Sequence, residues 1–181
     1  MAVETKNPNT LFLHIPKCGG TSVTRWLKVH TSTSKKVKGK HSKITEHEID
    51  DNTFVFTMIR HPFNRIISGY WWDKWGKKQF KGEFEDWWWS DHSEICRSCQ
   101  VNWWDDRINY VMKLENQKRD FQKIQLMFEI KADLEHWNKK NHHLKEKRYP
   151  TWWHSNTSKK MREDAYKVHK EDFDKLGYEL F

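Results

Sequence analysis

The chain has 181 residues, 36% of them hydrophobic and 32% charged, which suits one domain with a lean core eked out by 12 Trp and 10 Phe. A net charge of +8, with 11 His in reserve, favours an anionic partner: a nucleotide, a nucleic acid, an acidic glycan or a membrane surface. No apolar run approaches a membrane span, MAVETKNPNT lacks the basic-then-apolar pattern of a signal peptide, and 3 Cys make no disulfide framework, so a soluble, cytoplasmic protein is expected.

In chain order, TLFLHI (Thr10 to Ile15) is a short, β-prone apolar run between Asn-Pro-Asn and Pro-Lys-Cys-Gly-Gly, the signal of a buried strand. TSVTRWLKVH follows as a helix, with Thr21 or Ser22 as N-cap and Val23, Trp26 and Leu27 on one face. Residues 31–43 read as a polar, basic loop and ITEHEIDD as a short helix. Asn52 to Arg60 is the second strand; Pro62 stops it and opens a helix whose Phe63, Ile66, Ile67 and Tyr70 recur at helical spacing. From Lys77 to Gln100 the signal is weak, apart from one aromatic helical turn at FEDWWW. Arg107 to Glu115 is a third strand, and NQKRDFQKIQLMFEI an amphipathic helix through Phe121, Ile124, Gln125 and Phe128. ADLEHW is a further short helix, NKKNHHLKEKRYPTWWHSNTS a long basic loop, and the chain ends as a helix, Gly177 and an apolar tail. Strands separated by helices predict an α/β fold with a parallel sheet, and no repeat or linker divides residues 1–181 into more than a single domain.

The stretch with chemistry in it is LFLHIPKCGGTS, Leu11 to Ser22. A strand that enters a glycine turn and then a helix can hold phosphate: backbone N–H groups point inward and the helix N-terminus adds partial positive charge. Lys17 can place its ammonium on such an anion, while Thr21 and Ser22 can donate hydroxyls. The nucleotide-binding pattern G-x-x-x-x-G-K-[ST] is not matched, because Lys17 precedes Gly19 and Gly20, which weakens a kinase or NTPase reading. A second element, FTMIRHPFNRIISGY, sets Arg60 at a strand end and Ser68 eight residues on, a guanidinium and a hydroxyl for a second anion. Two anion sites point to a ligand phosphorylated at both ends, such as a nucleoside with 5′ and 3′ phosphates.

These motifs resemble those of the Golgi-type carbohydrate sulfotransferases. HIPKCGGTS is similar to their 5′-phosphosulfate loop, and MIRHPFNRIISGY to their 3′-phosphate motif, R-[DN]-P-x-x-R-x-x-S-x-Y. KHSKITEHEI resembles the intervening K-H-[AS]-T-A-x-E-I segment. INYVMKLENQKRDFQKI, HSNTS and KEDFDKLGYEL echo later family segments in order. His61 and Lys113 depart from the pattern, standing where an acidic or amide residue and an arginine are usual, and at 181 residues a short member without the usual membrane anchor is expected.

The resemblance implies a single P-loop-like sulfotransferase domain that moves a sulfuryl group from 3′-phosphoadenosine 5′-phosphosulfate (PAPS) to a hydroxyl or amine, with 3′-phosphoadenosine 5′-phosphate (PAP) as product and a carbohydrate among the candidate acceptors. Lys17, Cys18, Gly19, Gly20, Thr21 and Ser22 would hold the 5′ end, with Lys17 also stabilising the leaving oxygen; Arg60 and Ser68 would hold the 3′-phosphate. His41 is the candidate general base, with Glu46 and Glu48 as carboxylate alternatives, while His14 reads as structural or supporting. Arg65 reads as a packing or ion-pair residue. Cys96 and Cys99 form one C-x-x-C with only His92 near, so no metal is expected. Trp71–Trp72–Trp75, Trp87–Trp88–Trp89, Trp103–Trp104 and Trp152–Trp153 cannot all point inward, so several should be exposed. Two rivals stay open: a non-catalytic nucleic-acid binder, on the charge and interleaved aromatics, and an atypical P-loop kinase. No nucleic-acid partner is expected on the first reading, and the sequence leaves the oligomeric state open.

Overall fold

The computed structural model describes residues 2–32, 41–135 and 149–180. In chain order the strands and helices are β1 (Val3–Lys6), β2 (Asn9–Leu13), α1 (Gly20–His30), β3 (Phe54–Ile59), α2 (Pro62–Trp71), α3 (Phe84–Trp88), β4 (Tyr110–Lys113), α4 (Gln117–Phe128), α5 (Tyr149–Asn156) and α6 (Lys159–Leu176). They fall into two compact units, one of Met1–Arg60 with Asn102–Trp137, the other of His61–Val101 with Asn138–Phe181.

The first unit holds the sheet, in the order β1-β2-β3-β4. β2, β3 and β4 run parallel, with Leu11 opposite Val55 and Thr57 opposite Val111, whereas β1 is antiparallel, with Val3 opposite Phe12. The expected α/β fold is therefore present, with a mostly parallel sheet in place of a wholly parallel one. Strand alternation divides the apolar side chains between two faces. Val3, Phe12, Phe56, Met58 and Met112 meet Val23, Trp26 and Leu27 of α1 and Phe121, Ile124 and Phe128 of α4. Leu11, Leu13 and Val55 meet Ala2 and Ile44 on the opposite face. Burial of both faces explains why TLFLHI reads as a continuous apolar run. Each fully buried Leu or Phe contributes about 1.5–3 kcal/mol.

The second unit is helical, with Phe63, Ile66, Ile67 and Tyr70 of α2 packed among Phe84, Trp87, Trp88, Trp153, Met161, Ala165 and Phe173. Phe63 stacks on Trp153 with ring centroids 4.3 Å apart. Carboxylates accept from the buried indoles, Asp73 Oδ2 from Trp87 Nε1 and Asp164 Oδ2 from Trp88 Nε1, each at 2.9 Å. Trp89, next in the chain, is exposed, as are Trp72 and Trp75. Adjacent tryptophans do divide between inside and outside. Arg65 is fully buried and donates to the carbonyls of Ser98 at 2.6 Å and Ile95 at 2.7 Å, a packing role.

Several local expectations change. Ile44–Glu46 is a single 3-10 turn. Ala132 is not helical, because its carbonyl is turned inward to accept from Trp26 Nε1 at 2.7 Å and Gln125 Nε2 at 3.0 Å. Residues 33–40 of the expected basic loop lie outside the described residues, as do 136–148. Tyr149–Asn156, the end of the second basic loop, is helix α5, with Pro150 in the first turn where its missing N–H costs nothing. Ser158 caps α6 by accepting from the Met161 N–H at 3.1 Å. Among the described residues no helix is long and apolar enough to cross a membrane.

Candidate functional site

Within the first unit, the chain leaves β2 through His14, Ile15 and Pro16 and turns at Lys17 to Gly19 into α1. Lys17 and Gly19 both have positive φ, 67° and 80°. For lysine that conformation costs on the order of 1–3 kcal/mol, a strain the surrounding turn must hold. Gly19 is favoured by its φ and Gly20 by lack of space. A Cβ on Gly19 would come within 2.7 Å of Leu114 Cδ1, and one on Gly20 within 2.2 Å of His14 Cδ2. Cys18 is buried and its thiol donates to the Pro16 carbonyl at 3.5 Å, so its side chain serves the turn and leaves only its backbone for a ligand.

Gly19 occupies the N-cap of α1, with no capping side chain and no acid in the first turn. Neither Thr21 nor Ser22 is the cap, contrary to expectation; both lie inside the first turn, Thr21 exposed and Ser22 half-buried. The first turn of α1 thus carries no acidic side chain and two hydroxyls, beside the partial positive charge of the helix N-terminus.

Arg60 follows β3 directly, is 5% exposed and reaches the same turn, with Nη1 3.5 Å from the Lys17 carbonyl oxygen. Lys113 ends β4 and pairs with Ile59, the neighbour of Arg60. Its backbone N–H donates to Asp120 Oδ2 at 2.9 Å, which fixes the strand end. The C-terminal edge of three parallel strands thus carries Lys17, Arg60 and Lys113, the edge at which open α/β sheets bind ligands. Lys113 was legible in the sequence only as a departure from a family pattern; its place beside Arg60 depends on the register of β3 and β4.

His41 belongs to the same unit. Its Nδ1 lies 3.1 Å from the His14 carbonyl oxygen, and its ring meets the His14 ring edge-on at 5.1 Å and the Trp103 ring at 6.4 Å. A carbonyl can only accept, so Nδ1 carries the hydrogen and the neutral ring keeps a lone pair on Nε2. His14 lies between the candidate base and Gly20, the first helical residue. The segment after His41 is fastened by Ser42 Oγ and His47 Nε2 at 2.8 Å, and by Glu46 Oε1 accepting the Lys43 N–H at 2.7 Å. Burial holds the His47 pKa below its ordinary value, against the opposing pull of Glu4 and Glu46. Glu46 is committed to this local cap, and Glu48 is exposed.

Ser68 lies half-buried on α2, in the second unit, so its expected role rests on the motif. His61, the departure next to Arg60, is buried in the second unit, where Nε2 donates to the Glu179 carbonyl at 2.8 Å and the ring packs on Phe63, Phe173 and Tyr178.

Residues 2–75 match the model of the sulfotransferase family, a stretch that includes β1 to β3, the glycine turn, His41 and Arg60. A mixed α/β arrangement with a mostly parallel four-stranded sheet flanked by helices is consistent with the sulfotransferase fold. The match supports a sulfate-transferring activity in general. No curated protein and no solved structure matches the chain significantly.

Proposed function

We propose that the protein transfers a sulfuryl group from PAPS to a hydroxyl or amine of an acceptor. The observation that carries this reading is the convergence of Lys17, Arg60 and Lys113 with the uncapped N-terminus of α1 at one sheet edge. These charges suit a donor that carries phosphate at its 3′ position and phosphosulfate at its 5′ position. The sulfotransferase match over residues 2–75 supports the same donor.

Sulfuryl transfer needs positioning and charge stabilisation more than covalent catalysis by the protein. When bound, the donor supplies the sulfuryl group: sulfur bonds to the acceptor oxygen or nitrogen as its bond to the 5′-phosphate oxygen breaks. Lys17, Thr21, Ser22 and the α1 N–H groups hold the 5′ end, and the Lys17 ammonium neutralises charge on the departing oxygen. Arg60 holds the 3′-phosphate with its planar fork. His41 accepts the acceptor's proton at Nε2, the nitrogen left with a lone pair by the His14 contact.

Calorimetric titration with PAP, beside ATP and a single-stranded oligonucleotide, tests the reading. Micromolar binding of PAP without magnesium is expected. Magnesium-dependent ATP binding would favour the kinase alternative. Tight, salt-sensitive oligonucleotide binding with no PAP binding would make the net charge of +8 the better guide and overturn the proposal.

A further inference from the structure

We propose that Cys99, His169 and Asp172 form a binding site for zinc, built wholly within the second unit and separate from the chemistry of sulfuryl transfer. The Cys99 Sγ, a His169 ring nitrogen and an Asp172 carboxylate oxygen all lie within 4.8 Å of one another. His169 and Asp172 are 0% exposed and Cys99 6%. Thiolate, imidazole and carboxylate are the ligand types zinc takes, and three protein ligands leave a fourth position for water.

The hydrogen bonds around the cluster orient it for a cation. His169 Nε2 lies 2.8 Å from the Cys96 carbonyl oxygen, which can only accept, so Nε2 carries the hydrogen. In the neutral ring the Nδ1 lone pair then faces Asp172 Oδ2, 3.4 Å away. A lone pair facing a carboxylate is repulsive unless a cation lies between them. Asp172 is itself held by the Val101 N–H at 3.0 Å and by Gln100 Nε2 at 3.2 Å. Hydrogen bonds of this kind to a histidine and a carboxylate are how proteins fix metal ligands.

The charges also balance. Zinc binding would release the Cys99 thiol proton to solvent, breaking its 3.0 Å contact with the Val168 carbonyl, and would form the Zn–S bond. One thiolate and one carboxylate then neutralise the dication, with a neutral imidazole as third ligand, so the buried cluster carries no net charge. A proton on Nδ1, making an imidazolium–carboxylate pair, is the rival occupant of the same gap. The rest of the C-R-S-C motif takes another part. Cys96 Sγ faces the Arg65 carbonyl at 4.0 Å, and His92 packs against the Phe80 ring.

Cobalt titration of the chelator-treated full-length chain tests the site. One equivalent of Co²⁺ should give a thiolate-to-metal charge-transfer band and the strong visible bands of a tetrahedral ion, and zinc should abolish both. Cys99→Ser, a near-isosteric change checked for folding by circular dichroism, should lose the band. It should also weaken zinc binding by more than the roughly 10–100-fold cost of removing an outer-shell partner. Cys18→Ser should keep both properties. Absence of the band in the unmodified chain, or its survival in Cys99→Ser, would overturn the proposal. So would imidazolium nitrogen shifts for His169 that are the same with chelator and with zinc.

Discussion

Arg60 Nη1 lies 3.5 Å from the Lys17 carbonyl oxygen, so the guanidinium that follows β3 reaches the strained turn that follows β2. The proposed anion-binding edge would therefore draw on two strand ends, and removal of either cation should weaken it. A charged hydrogen bond contributes about 1.5–3 kcal/mol, so Arg60→Ala and Lys17→Ala should each raise the PAP dissociation constant roughly 10- to 150-fold. Arg60→Lys should recover only part of the loss, because an ammonium lacks the bidentate fork. Calorimetry on the three variants checks this, and unchanged affinity in Arg60→Ala would remove it from the site.

His41→Ala should leave PAP affinity close to that of the unmodified chain, because the proposed base touches the acceptor and not the donor. Turnover with a working acceptor should fall about 10²–10⁴-fold, the usual contribution of a positioned general base. Binding and turnover measured on one preparation separate the two effects. Full turnover in His41→Ala would shift the role to a carboxylate, with Glu48 ahead of Glu46, whose Oε1 is already taken by the Lys43 N–H.

Much of this was legible in the sequence, for physical reasons. β2 and β3 are buried on both faces, so their apolar runs stand out, and α2 and α4 bury stripes at helical spacing. β1 was hidden because an edge strand of four residues buries only Val3 and Thr5 fully, too short an alternation to separate from a loop. α5 was hidden by the basic residues before it, although Pro150 in its first turn was an available start signal. The turn and Arg60 stood out as candidates because phosphate chemistry restricts residue type locally. The places of Lys113, His14 and the Cys99 partners beside their neighbours could not be read, because those neighbours lie far along the chain. His169 and Asp172 do share one face of α6 at three-residue spacing, a hint the sequence carried.

Gly20→Ala should destabilise the protein through His14. The new Cβ would sit 2.2 Å from His14 Cδ2, closer than side chains tolerate, and the ring is already bounded by His41 at 5.1 Å. Overpacking of this kind costs about 1–3 kcal/mol, which lowers the melting temperature by roughly 2–4 °C per kcal/mol in a chain of this length. His14→Ala in the same background should restore most of the loss, because the steric partner is gone. Additive losses in the double variant would show that the two residues do not meet.

Acid should destabilise the first unit through His47. Burial lowers its pKa below the ordinary 6.5 against the raising influence of Glu4 and Glu46, and Arg107 adds to the lowering. The folded state thus favours the neutral ring, which keeps Nε2 at 2.8 Å from Ser42 Oγ. A depressed histidine pKa means that the unfolded chain binds the proton first. The contribution of His47 is complete above the unfolded value and is lost as pH falls below 6.5 toward the folded one. Denaturant unfolding followed between pH 8 and about pH 5 should therefore show stability falling with acid. His47→Gln, which keeps a polar group near Ser42 but cannot titrate, should fall less steeply over the same range. Equal slopes for the two proteins would place the acid sensitivity elsewhere.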